Sequence, residues 1–172
     1  MDRSALALAI KHAAYLEGDF ILSSGRRSRY YLDKYLFSTD PVLLREIARA
    51  LAAKLPAEFD RLAGVELGAV PLATAVALET NKPFVIVRKE AKEHGTSKLF
   101  EGKLEKGEKL VLIEDVLTTA AQAISAASRL REFGAHVVKV LYVVDRLEGA
   151  AENLKKADLV AEPLFTRHDL GI

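Results

Sequence analysis

Leu110-Val-Leu-Ile-Glu-Asp-Val-Leu-Thr-Thr119 is the stretch on which the reading of the whole chain turns. Four apolar residues in succession show no alternation between a wet and a dry face, which is the pattern of a strand buried on both sides. Two adjacent acids end the run, and hydroxyl residues then open a helix expected over 119–133. Charges at the end of a buried strand need a partner. The acids could simply cap the strand and favour the next helix N-terminus through its dipole. They could equally hold a ribose diol, each carboxylate accepting from a ring hydroxyl, while helix N-terminal amides after Thr118 cradle a phosphate.

Outward from this stretch, apolar runs of the same kind recur at Leu62 to Leu67, Phe84 to Val87 and Val137 to Val144. A helical segment at 71–80 and the one at 119–133 separate them. Asp40 followed by Pro41 supplies an N-cap and a first helical residue, and Leu43, Leu44, Ile47, Leu51 and Leu55 continue an apolar stripe, so a helix is expected over 41–55. Residues 4–17 look helical, and two extended runs, Phe20 to Leu22 and Arg29 to Lys34, flank a Ser-Gly turn in an N-terminal appendage. Strands alternating with helices imply an α/β fold with a parallel sheet flanked by helices. Ligands of such sheets bind beyond the carboxyl ends of the strands, here just after residues 67, 87, 113 and 144.

Composition limits the alternatives. At 172 residues the expectation is one domain, and no repeat, low-complexity tract or linker divides it. A formal net charge of +1 creates no general field for nucleic acid, so any polyanion site must be local. No apolar run approaches the length of a membrane span, which leaves no membrane partner to expect. The absence of cysteine removes disulfides, thiolate nucleophiles and cysteine zinc sites, and the cytoplasm is the default compartment. One Met, one Gln and two Asn make a chain poor in thermolabile side chains, as a thermophile would be.

With these residues in view, Glu114-Asp-Val-Leu-Thr-Thr-Ala-Ala-Gln122 resembles the phosphoribosyl pyrophosphate motif of type I phosphoribosyltransferases. The resemblance implies that Glu114 and Asp115 hold the ribose hydroxyls, that Thr118, Thr119, Ala120, Ala121 and Gln122 bind the 5′-phosphate, and that Val116 and Leu117 complete the stretch that binds phosphoribosyl pyrophosphate. The family usually has a Gly and a Ser or Thr where this chain has Ala120, Ala121 and Gln122. Because such a loop binds mainly through backbone N–H groups, Ala serves wherever the backbone does not need φ > 0.

Val87-Arg-Lys-Glu-Ala-Lys-Glu-His-Gly-Thr96 puts four basic side chains at a strand end, and a solvated charged loop would explain them as well. The segment resembles the catalytic loop of orotate phosphoribosyltransferases, which implies that Lys92 reaches pyrophosphate in the neighbouring subunit's site of a homodimer, assisted by Arg88, Lys89 and His94. Residues 18–33, Gly-Asp-Phe-Ile-Leu-Ser-Ser-Gly-Arg-Arg-Ser-Arg-Tyr-Tyr-Leu-Asp, could be an ordinary hairpin, yet resemble the same family's N-terminal hood. There the amides of Ser24 and Gly25 and the rings of Tyr30 and Tyr31 would enclose orotate. Some relatives have a lysine where Ser23 stands, and Arg26 offers a substitute cation. Gly64-Val-Glu-Leu-Gly-Ala-Val-Pro71 is similar to the family's pyrophosphate loop, and in Val143-Val-Asp-Arg-Leu-Glu-Gly-Ala150 the resemblance brings Arg146, with Thr118, to the pyrimidine.

What the resemblance implies is a type I phosphoribosyltransferase fold, with the hood at about 1–35 and the core at about 36–172 of a single domain. The implied activity joins orotate to the ribose of phosphoribosyl pyrophosphate, giving orotidine 5′-phosphate and pyrophosphate in UMP synthesis. Mg²⁺ is the implied cofactor, held mainly through substrate oxygens and water. A purine phosphoribosyltransferase would share the 110–119 motif but not the hood. A non-catalytic sensor of phosphoribosyl pyrophosphate is a third possibility, motivated by Ala120 and Ala121.

Overall fold

The computed structural model describes residues 1–21, 25, 27–90 and 99–172. The elements in chain order are α1 (Arg3–Ala14), β1 (Tyr15–Ile21), β2 (Arg27–Leu32), α2 (Lys34–Ser38), α3 (Pro41–Ala52), β3 (Arg61–Val65) and α4 (Ala69–Thr80). They continue as β4 (Phe84–Val87), β5 (Phe100–Glu101), β6 (Lys109–Leu117), α5 (Ala121–Phe133), β7 (His136–Asp145), α6 (Ala150–Lys156) and β8 (Ala161–Thr166). Among the described residues, six strands form one sheet in the order β5-β4-β3-β6-β7-β8, and β1 and β2 form a separate hairpin. Every neighbouring pair in the larger sheet is parallel except β4 with β5.

Strand β6 is central because both its faces are apolar. Val111 and Ile113 pack in the cluster that contains Ile10 of α1, Ile47 and Leu51 of α3, and Leu72 and Val76 of α4. Leu110 and Leu112, whose side chains leave on the opposite face, pack with Ala123, Ala127 and Leu130 of α5 and Leu154 of α6. The sheet therefore lies between two helical layers, and the apolar runs read as doubly buried strands are such strands.

Helix α3 starts as expected, since the Asp40 carboxylate accepts from the amides of Val42 and Leu43 at 2.9 and 2.8 Å and Pro41 occupies the first turn. It ends at Ala52 rather than 55, because the amides of Lys54 and Leu55 turn back to Leu51 and Ala52. Helix α1 ends at Ala14, not 17: Tyr15, Leu16 and Glu17 already pair with Leu32, Tyr31 and Tyr30 across the hairpin. The run expected to stay extended to Lys34 ends at Leu32, where Asp33 accepts from the Tyr35 amide and caps α2. Strand β3 stops at Val65, and helix α5 begins at Ala121, two residues later than expected. No helix of the described residues is long and apolar enough to cross a membrane.

Candidate active site

The acids of β6 do not end the strand. Pairing with β7 continues through Glu114, Val116 and Leu117 to Asp145, so Glu114 and Asp115 are held inside the ladder with only 5% and 4% of their surfaces exposed. As consecutive strand residues they leave on opposite faces, and their surroundings differ. Asp115 accepts from the Val116 amide at 2.5 Å through Oδ1 and faces the Lys34 ammonium of α2 at 2.8 Å through Oδ2. Burial works against the Lys34 charge, but Asp115 outweighs it and holds the lysine above its ordinary pKa. Glu114 accepts at 3.3 Å from the Asp115 amide through Oε2, while its buried Oε1 has no hydrogen-bond partner among the described residues. Burial, then the Asp115 charge, push the Glu114 carboxyl up to about 8, against the Asp115 amide, Lys34 and Lys89.

The backbone beneath this pair allows no side chain. A Cβ at Gly68 would lie 1.9 Å from Asp115 Oδ2 and 2.9 Å from Lys34 Nζ, so glycine is required at the start of α4 by close approach. The preceding Glu66–Leu67 peptide is cis. Glu66 Oε1 accepts from the Lys89 amide at 2.6 Å, which ties the end of β3 to the residues following β4.

Beyond β6, residues 118–120 turn into α5. Ala120 is its N-cap with φ 63° and ψ 18°, in the left-handed region, and no side chain caps the first turn. The expectation that alanine could replace glycine here presumed a negative φ. The structure corrects it at Ala120, where a Cβ in this region costs about 1–2 kcal/mol, and leaves it intact at Ala121 inside the helix. The uncapped N-terminal amides of α5 remain available to an anion.

A cavity of about 420 Å³ opens over this turn, lined by Glu114 to Gln122, by Ile21, Tyr31, Leu32 and Lys34 of the hairpin side, and by Arg146. Arg146 is 5% exposed, and its guanidinium lies 4.8 Å from the centroid of the Tyr30 ring and 3.0 Å from Glu148 Oε1. Tyr30 stacks in turn on Tyr15 at 5.6 Å, and Tyr31 meets Phe20 at 5.7 Å. Asp145 braces the turn that carries Arg146, accepting from the Tyr142 hydroxyl at 2.9 Å and the Leu147 amide at 2.7 Å.

Of the residues singled out from sequence, Glu114 to Gln122, Tyr31 and Arg146 line one cavity, and Tyr30 touches it through Arg146. Arg88 and Lys89 follow β4 outside the cavity lining, with Arg88 Nη1 3.7 Å from Glu101 and Lys89 near enough to act on the Glu114 charge. Gly25 is exposed, with φ 77°. Ser23, Ser24, Arg26, Lys92 and His94 lie outside the described residues. Sequence reasoning missed Lys34, Leu32, Ile21 and the close approach at Gly68. A lysine two residues past a strand carries no signal of a carboxylate 81 positions away in the chain.

Residues 40–168 match the family described as phosphoribosyl transferase domain. That span includes the 110–122 stretch and Arg146 but not the hairpin, so it speaks for the core and not for what the hairpin holds. Longer similarities include it. The chain is 48% identical to the orotate phosphoribosyltransferase of Pyrococcus horikoshii over 99% of its own length and 93% of that protein's. It belongs to the orotate phosphoribosyltransferase family. Solved structures of the family agree in shape: a Mycobacterium tuberculosis orotate phosphoribosyltransferase superposes with a TM-score of 0.88 at 31% identity over 100% of both chains. The same enzyme in complex with 5-phospho-alpha-D-ribosyl 1-diphosphate gives 0.83 at 30% identity, again over 100% of both chains. The type I phosphoribosyltransferase fold expected from sequence is the fold found, and an orotate phosphoribosyltransferase has its hairpin and its sheet in one continuous match.

Proposed function

We propose that the chain transfers the ribose 5-phosphate group of phosphoribosyl pyrophosphate to orotate, giving orotidine 5′-phosphate and pyrophosphate. The observation that carries this reading is the shared cavity: two buried acids and an uncapped helix N-terminus lie on one side, and a buried arginine lies on the other. A diol bearing a 5′-phosphate suits the first set, and a carboxylated planar ring suits Arg146 and the aromatic hairpin.

In this mechanism Asp115 accepts from one ribose hydroxyl and Glu114 from the other, which fixes the sugar against the sheet. Amides at 120–122, with the hydroxyls of Thr118 and Thr119, hold the 5′-phosphate. Arg146 and the rings of Tyr30 and Tyr31 orient orotate, helped by Ser24, Gly25 and Thr118, so that its ring nitrogen is in line with the anomeric carbon. The bond from that carbon to pyrophosphate oxygen breaks and its electron pair leaves with pyrophosphate, while the carbon–nitrogen bond forms and the ring nitrogen gives up its proton to water. Arg88 and Lys89 of one chain, with Lys92 and His94 of the neighbouring subunit in a homodimer, attract the charge that develops on the leaving group.

The donor set is compatible with Mg²⁺ carried by substrate. Among the described residues no group of three or more His, Asp or Glu could hold a metal, and Asp115 is engaged by Lys34. When bound with substrate, Mg²⁺ supplies neutralisation of pyrophosphate charge, with substrate oxygens and water as its ligands. On the same reading, residues 1–172 are one domain acting in the cytoplasm, with no nucleic-acid partner.

The test is direct. The protein is mixed with phosphoribosyl pyrophosphate, Mg²⁺ and each base in turn, and base consumption is followed. Orotate is consumed and adenine, hypoxanthine and guanine are not. Faster purine turnover would overturn the orotate assignment, and binding of phosphoribosyl pyrophosphate without turnover of any base would make the chain a sensor.

A further inference from the structure

Lys34 belongs to none of the segments on which the family resemblance rests. It is the first residue of α2, its side chain is about 30% exposed, and its ammonium lies 2.8 Å from the Asp115 carboxylate within the cavity wall. The contact requires the missing Cβ of Gly68, which would otherwise stand 2.8 Å from Lys34 Cε and 2.9 Å from Nζ. Three elements distant in sequence thus converge to put one cation on one carboxylate.

A count of acceptor sites indicates what the contact does. An ionised carboxylate has about four lone-pair sites. On Asp115 one is taken by the Val116 amide and one by Lys34, each on a different oxygen, so the group is fixed in rotation and still has sites to offer. Glu114 adds an unpartnered, buried Oε1. Without Lys34, Asp115 Oδ2 would lose its cationic partner, and the Val116 amide alone would hold the carboxylate.

We infer that Lys34 is a positioning residue for phosphoribosyl pyrophosphate, holding the Asp115 carboxylate oriented so that it accepts from the ribose diol. This rests on the proposed function. It goes further by assigning affinity for the sugar to a residue on the segment that joins the hairpin to the core. The charged or titratable groups around the pair are Lys34 and Tyr35 of α2, Glu114 of β6 and Lys89 after β4.

The experiment measures binding of phosphoribosyl pyrophosphate with Mg²⁺ by calorimetry, without orotate, for the wild type, Lys34→Met and Lys34→Arg between about pH 6 and about pH 9. Lys34→Met is expected to bind about ten- to a hundredfold more weakly near neutral pH, the loss associated with one charge-assisted contact. Lys34→Arg recovers most of the affinity. In the orotate reaction the KM for phosphoribosyl pyrophosphate rises by more than kcat falls. Should Lys34→Met not fold by circular dichroism, Lys34→Gln carries the same expectations. Equal affinity of wild type and Lys34→Met at every pH, or a deficit that arginine does not repair, overturns the role of Lys34. Failure of the wild type itself to bind phosphoribosyl pyrophosphate overturns instead the function on which it rests.

Discussion

The carboxyl end of β6 and the β1–β2 hairpin line one cavity but are built in opposite ways. β6 is paired on both edges, to β3 and β7, and covered on both faces, so its residues have one arrangement. The hairpin strands pair only with each other, with a register shift between Glu17 and Phe20, and Ile21 at its tip is 76% exposed. A lone hairpin is marginal in water. This one is held by Leu32 in the core and by the Tyr15–Tyr30 stack. On the proposed function, the groups that fix the sugar stand on the rigid element, and the aromatic groups that enclose the base stand on the one that can open at least cost.

The comparison breaks most visibly if the pyrophosphate cation does not come from a second chain. Lys92→Ala and Asp115→Asn should each leave little activity. Unfolding the two together in equal amounts and refolding makes about half of the dimers mixed, each with one intact site, and activity returns to roughly a quarter of wild type per chain. Mixed dimers verified by mass spectrometry without recovery would end the shared-site mechanism.

Next in size is the rigid side itself. Asp115→Asn should weaken binding of phosphoribosyl pyrophosphate by about 1.5–3 kcal/mol, the difference between a charged and a neutral acceptor. Orotate affinity in a product complex should change little, and comparable losses for both ligands would show that the two regions are not separable.

Glu114 sharpens the contrast through pH. Its folded pKa of about 8 lies above the unfolded value, so the folded chain binds more protons between the two. The stability this group contributes is complete below the unfolded pKa and is lost as pH rises through the folded one. Glu114→Gln, which mimics the protonated acid, should therefore gain stability relative to wild type from about pH 5 to about pH 9, read from denaturant midpoints. A difference that stays constant with pH would place the proton elsewhere.

The smallest effect is at Ala120. Glycine there relieves roughly 1–2 kcal/mol of left-handed strain and returns about 0.4–1 kcal/mol of unfolded-state freedom, a net gain of about 1 kcal/mol or less. Thermal melting of Ala120→Gly checks it, and a destabilised variant would contradict the backbone assignment.

Legibility followed burial. The strands at 84–87 and 136–145 stood out because doubly buried parallel strands leave uninterrupted apolar runs, and α3 because Asp40-Pro41 is a local capping signal. α2, β5, α6 and β8 did not stand out: two are one or two turns of helix, and β5 is two residues at a sheet edge. Local chemistry also misplaced the ends of α1 and β6, where pairing with β2 and β7 overrode it.

Taken by itself, the sequence determined the alternation of strands and helices, the carboxyl-end location of the cavity, and the acids and amide loop that line it, because each depends on residue type within a few positions, whereas Arg146 was marked only by resemblance to a family. Only the tertiary structure decided that Asp115 meets a cation while burial raises the Glu114 carboxyl, that Lys34 and Gly68 make that contact possible, and that Ala120 is left-handed. Those properties arise from desolvation and from contacts between elements far apart in the chain, and neither is a function of local sequence.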